Sequence, residues 1–75
     1  MRMSEISKKQ VYKVQCIMGE ETESQRLATL GFIPGEELSL VSRMPLGGPV
    51  AVNLRGSVWA LREHEAQAVV VEPAA

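Results

Sequence analysis

The sequence predicts a mainly β fold, a small barrel of about five antiparallel strands with one short α-helix after the first strand. Three observations carry that expectation. Apolar residues recur in short runs, several of them alternating at period two; Gly and Pro punctuate the intervals between them; and one interval, residues 20–30, shifts to helical spacing. The chain has 75 residues, room for one domain, and so few strands are best protected by closing on themselves.

Residues 1–10 read as a lead-in, residues 11–72 as the barrel and residues 73–75 as a tail. In the lead-in, Ser4 can cap a short helical turn that lays Met3 and Ile6 on the body; a frayed terminus is the other reading. From Val11 the pattern alternates, with Tyr12, Val14, Cys16 and Met18 on one face and Lys13 and Gln15 on the other, until Gly19 ends the strand. In "EETESQRLATLGF" either Thr22 or Ser24 can cap a helix of about two turns. Glu20, Glu21 and Glu23 suit its positive end, Leu27 and Leu30 share a face, and Gly31 stands where a left-handed residue would stop it.

Pro34-Gly35 fits a type II turn. "EELSLVSRM" then alternates with Leu38 and Leu40 inward, and "PVAVNLR" does so with Val50, Val52 and Leu54. Gly56-Ser57 reads as a two-residue type II′ connection, after which "VWALR" returns antiparallel. "EHEAQ" suits a single helical turn and "AVVVE" a last strand. An SH3-like barrel is the architecture that accommodates this series.

Composition excludes several functions. Ordering costs about 1.5 kcal/mol per residue and apolar burial returns about 25 cal/mol per Å², so a chain this short commits most of its apolar residues to stability. An enclosed active site, with its desolvation cost, does not fit easily, and no enzymatic activity is expected. Eight Lys or Arg stand against nine Glu, and they are interspersed along the chain. The clustered cations that neutralise phosphates are missing, which argues against nucleic acid and against a polybasic membrane patch. No run approaches the roughly 20 apolar residues of a membrane span, no signal-peptide pattern opens the chain, and the single cysteine forms no internal disulfide. A soluble, cytoplasmic protein is the expectation.

Candidate chemistry is thin. Cys16 and His64 are the only soft or borderline metal ligands besides Met, and they lie on different elements. Cys16 reads as an inward strand residue and His64, between Glu63 and Glu65, as solvated. No metal site and no cofactor are expected, and neither a thiol–imidazole nucleophile nor a phosphate-cradling loop is evident.

Leu27 with Leu30-Gly31, then Pro34-Gly35, Pro45-Leu46-Gly47 with Pro49, Leu61-Arg62 and Glu65-Ala66 form an ordered series. In that series the sequence resembles the FeoA family, ferrous iron transport protein A of bacteria, from about Tyr12 to Glu72. The resemblance implies an SH3-like barrel in the cytosol that assists FeoB, a membrane permease for ferrous iron with a GTP-hydrolysing cytosolic domain. Leu27, Leu30, Gly31, Pro34, Gly35, Pro45, Gly47, Pro49, Gly56 and Leu61 are then structural positions. The chain departs from the family at Gly48, where Asp is frequent, at Lys8-Lys9 in place of Pro-Gly, and at Trp59, which is larger than expected.

The stretch "RMPLGGP" frames the functional question. Its Gly and Pro residues force a turn, yet it carries two large apolar side chains, Met44 and Leu46. In one reading these plug an open end of the barrel, which is the economical use of scarce apolar material. In the other they form a patch with Ile33, rimmed by Arg43 and Arg55, that binds FeoB and modulates its GTPase or transport activity. Two further readings are a metal-responsive regulatory domain acting with a repressor, and a module for proline-rich peptides, although grooves of the latter kind need several aromatic rings. An unpaired barrel edge would permit weak self-association.

Overall fold

A computed structural model describes residues 1–74; Ala75, the end of the expected tail, lies outside the described residues. The element order is a 3₁₀ turn (Met3–Glu5), β1 (Val11–Ile17), α1 (Glu21–Leu30), β2 (Glu37–Arg43), β3 (Val50–Leu54), β4 (Ser57–Leu61), α2 (Glu63–Ala68) and β5 (Val69–Pro73). The strands form one antiparallel sheet in the order β4-β3-β2-β1-β5. The expected mainly β, SH3-like arrangement is therefore present, with its helix after the first strand. The sheet is not closed, however: no ladder joins β4 to β5 among the described residues. The chain between those strands folds as α2, and Ala66 and Ala68 of α2 join Met3 and Ile6 in the core cluster.

α1 is nearly three turns long, not two, and neither expected cap forms. Glu20 holds the N-cap position, its carbonyl accepting from the Ser24 amide at 2.9 Å, while the Ser24 hydroxyl turns back to the Glu21 carbonyl. The other end follows the sequence closely. Gly31 is left-handed (φ 116°), its amide donates to Ala28, and the Phe32 amide reaches the Leu27 carbonyl at 3.1 Å. That pair of bonds is a Schellman closure, sealed by the burial of both Leu27 and Phe32. Pro34-Gly35 forms the expected type II turn, with Gly35 at φ 92° and the Glu36 amide donating to the Ile33 carbonyl.

Four other expectations are corrected. The β3–β4 connection is Arg55-Gly56 rather than Gly56-Ser57, because Leu54 pairs with Ser57; both loop residues have positive φ, as a type I′ hairpin requires. β1 contains a bulge between Val14 and Cys16 that breaks its alternation. Cys16 and Met18 are consequently exposed, and Ile17 packs on the core in their stead. β5 continues through Pro73, which pairs with Tyr12. In the lead-in a short helical turn does lay Met3 and Ile6 on the body, both fully buried, but Ser4 does not cap it; the Arg2 amide instead donates to Glu5 Oε1 at 2.7 Å.

Candidate docking surface

The β2–β3 connection is a built loop rather than a slack one. The Met44 amide donates to the Pro49 carbonyl at 3.0 Å across its base, and the Gly48 amide donates to Pro45 at 3.3 Å. Leu46 and Gly47 between them have φ of 60° and 74°, again the signs of a type I′ turn. Gly47 lies against Glu63 at the start of α2, where a Cβ would come within 2.4 Å of the carboxylate. A Cβ on Gly48 would meet Met44 Cβ at 2.6 Å, so the loop is shaped around that glycine too. At its foot, Arg43 donates to the Ile6 carbonyl at 2.8 Å, tying the loop to the N-terminal segment.

These bonds leave the apolar side chains outside. Leu46 is 102% exposed and Met44 55%, so neither plugs the barrel and that reading is set aside. Leu46 also occupies a left-handed conformation that costs an ordinary residue about 1–2 kcal/mol.

The expected patch is divided. Arg43, Met44 and Leu46 lie at the end of β2 where Arg43 pairs with Val50. Ile33 and Arg55 lie at the other end, where Leu38 pairs with Leu54 and Arg55 approaches Glu36 at 3.9 Å. The length of β2, about 20 Å, separates the two groups. The polar neighbours of the Leu46 loop come from α2 instead, since Gly47 and Pro49 share a shallow depression with Arg62, Glu63 and His64.

α2 is fixed to α1 by charge. Glu65 accepts from the Arg62 amide at 3.0 Å and from the Arg26 guanidinium, and is itself buried. Burial raises the Glu65 pKa, but the Arg62 amide, the Arg26 hydrogen bond and charge, and His64 outweigh it and hold the carboxyl below its ordinary value. His64 is solvated, with Nε2 3.7 Å from Glu23. Among the described residues no three of His, Cys, Asp or Glu converge as a metal would need. Of the aromatic rings, Tyr12 and Phe32 are buried, which leaves Trp59 alone and no aromatic-walled groove for a proline-rich peptide. No helix among the described residues is long and apolar enough to cross a membrane.

Fold and surface together define a small SH3-like domain that presents a rigid loop with outward apolar side chains. A family model described as the FeoA domain matches residues 1–73, and the chain belongs to the FeoA family, which is associated with ferrous iron transport. None of the curated proteins compared matches it. Among solved structures, the FeoA protein of Chlorobium tepidum is 31% identical with a TM-score of 0.88, covering 100% of this chain and 71% of that one. The FeoA of Stenotrophomonas maltophilia, solved with zinc and described as an SH3 domain protein and a candidate activating factor for ferrous iron transport, is 33% identical (TM-score 0.84, covering 96% and 89%). A manganese-dependent transcriptional repressor shares the fold alone, at 18% identity and TM-score 0.87 over 97% of this chain and 41% of its own.

Proposed function

We propose that this protein is a cytosolic accessory factor of ferrous iron uptake that docks on an FeoB-like permease through the β2–β3 loop and biases its GTPase or transport cycle. It carries out no chemistry of its own. The observation that supports the reading is Leu46: a fully exposed leucine held outward, against its own backbone preference, by a hydrogen-bonded loop. An anchor already fixed in its bound shape gives up little entropy on contact, which is how a small surface reaches useful affinity. Met44 extends the apolar contact, and Arg62, Glu63 and His64 beside the loop supply a polar rim. Docking shifts the permease only so far as the loop binds one of its states better than the other. Arg43 serves this surface by bracing the loop, whereas Ile33 and Arg55 stand too far away to share it.

Leu46→Asp tests the reading, because aspartate tolerates the left-handed conformation and the side chain touches no core residue. The variant should melt no lower than wild type, yet fail to capture the permease's cytosolic domain and fail to restore iron uptake in cells lacking the native protein. Unchanged capture and uptake would refute it.

A further inference from the structure

The sheet treats its two edges differently. On the outer side of β5 the Met1 amino group donates to the Val71 carbonyl at 2.9 Å, the Val71 amide donates back to Met1 at 2.7 Å, and Arg2 bridges to Val70. The outer side of β4 receives no hydrogen bond among the described residues. β4 also lacks the usual guards of an edge. Its residues Ser57-Val58-Trp59-Ala60-Leu61 include no charge and no proline, and its register against β3 has no bulge. Val58 is 59% exposed and Ala60 is exposed beside it.

Which groups face outward follows from the hairpin. A two-residue turn closes on a hydrogen-bonded pair, here Leu54 with Ser57, and such pairs alternate along an antiparallel ladder. Ser57, Trp59 and Leu61 therefore direct their backbone groups to β3, while Val58 and Ala60 direct theirs to solvent.

We propose that β4 docks a second copy of this chain, the two strands pairing antiparallel about a two-fold axis at Trp59. That register sets Val58 opposite Ala60 of the second copy, twice by symmetry, so that about four backbone hydrogen bonds form and every outward group of the strand is used. A shift by two residues would leave one such pair within the strands. The same centring brings the Arg55 turn of each copy toward the start of α2 of the other, where Glu63 offers it an opposite charge beside Arg62. Arg55 is free to respond, being largely exposed and only 3.9 Å from its present partner Glu36. Trp59, half-buried on the inner face, would be covered by its twin, an apolar cross-strand pair. With a net charge of −1, two copies do not repel. One five-residue edge is a small interface, so the association is weak, with a dissociation constant on the order of 0.1–1 mM.

Sedimentation of the full chain under reducing conditions, from about 10 µM to about 1 mM, reads the equilibrium. Wild type should pass from monomer to dimer over that range. Ala60→Pro removes an outward amide that β3 does not use, and Val58→Lys sets a charge on the edge; each should weaken the dimer at least about tenfold while melting stays near wild type. Arg55→Glu and Glu63→Arg should each weaken it and together restore it. A chain monomeric throughout overturns the proposal, as does a dimer unaffected by Ala60→Pro, or single charge reversals without effect. The two proposed surfaces share only Glu63, which also borders the docking loop, so Ala60→Pro and Val58→Lys separate them: a dimer lost in Leu46→Asp but kept in Ala60→Pro would place self-association on the loop and refute the β4 pairing.

Discussion

Leu46 stands in a conformation that favours Gly, Asn or Asp, and no burial compensates for it. A residue kept where it destabilises its own domain contributes elsewhere, and the two roles separate experimentally. Leu46→Asn relieves the strain without touching the core, so it should raise stability by about 0.5–1 kcal/mol, a gain of roughly 2–8 °C in Tm for a domain of this size. If the proposed docking role holds, the same variant should bind an FeoB-like permease less well. Calorimetric melting beside a capture assay checks both halves; a melting point below wild type would mean that Leu46 supports the fold after all. Sequence shows the anomaly of a leucine between Pro45 and Gly47, but not its outcome. Plug and anchor have the same sequence, and only the hydrogen bonds from Met44 to Pro49 and from Gly48 to Pro45 decide that the side chain points away.

Between elements, the link of α1 to α2 rests on Glu65, which satisfies the first turn of its own helix and meets Arg26 from the other. Its carboxyl titrates below the ordinary range when folded, so its contribution is fully present above the unfolded pKa, near 4.3, and is lost as pH falls through the lowered folded value. Glu65→Gln should cost about 1 kcal/mol at neutral pH, a small figure because Arg26 is largely exposed and the pair is screened. Melting temperatures from pH 7 to pH 3 should fall less steeply for the variant than for wild type; parallel curves would show that this carboxyl does not set the acid limb. Element existence was legible because alternation and glycine placement are local. The β1 bulge was not: one extra residue turns Cys16 and Met18 outward, and nothing in "VQCIM" shows where the ladder to β5 slips. The patch of Ile33 with Leu46 failed for a related reason, since grouping residues across loops requires knowing which end of a strand each loop caps.

For the whole molecule, the decisive fact is how far the interior reaches along the chain. Met3 and Ile6 are as buried as any strand residue and pack with Leu27, Phe32 and Val69 in one cluster. A domain of 75 residues has a total stability of about 4–11 kcal/mol. Truncating a buried Met or Ile to Ala costs about 2–5 kcal/mol. Met3→Ala with Ile6→Ala should therefore leave a chain without a cooperative melt near room temperature, while Lys8→Ala with Lys9→Ala leaves it unchanged. Circular dichroism melts of both variants check this, and a cooperative transition close to that of wild type in the first would mean that the lead-in is dispensable. The sequence left packing and fraying open here because three apolar residues in ten, Met1, Met3 and Ile6, make no periodicity, and the burial of Met3 and Ile6 depends on α2 and β5, far away in sequence.

The bulge in β1 has a practical corollary. It leaves one thiol in the molecule accessible, on a strand separated from β4 by β3 and β2 and outside the β2–β3 loop. A maleimide dye placed on Cys16 would tag each molecule once, with native sequence at both proposed contact regions. Fluorescence anisotropy could then follow partner capture and self-pairing in the same preparation.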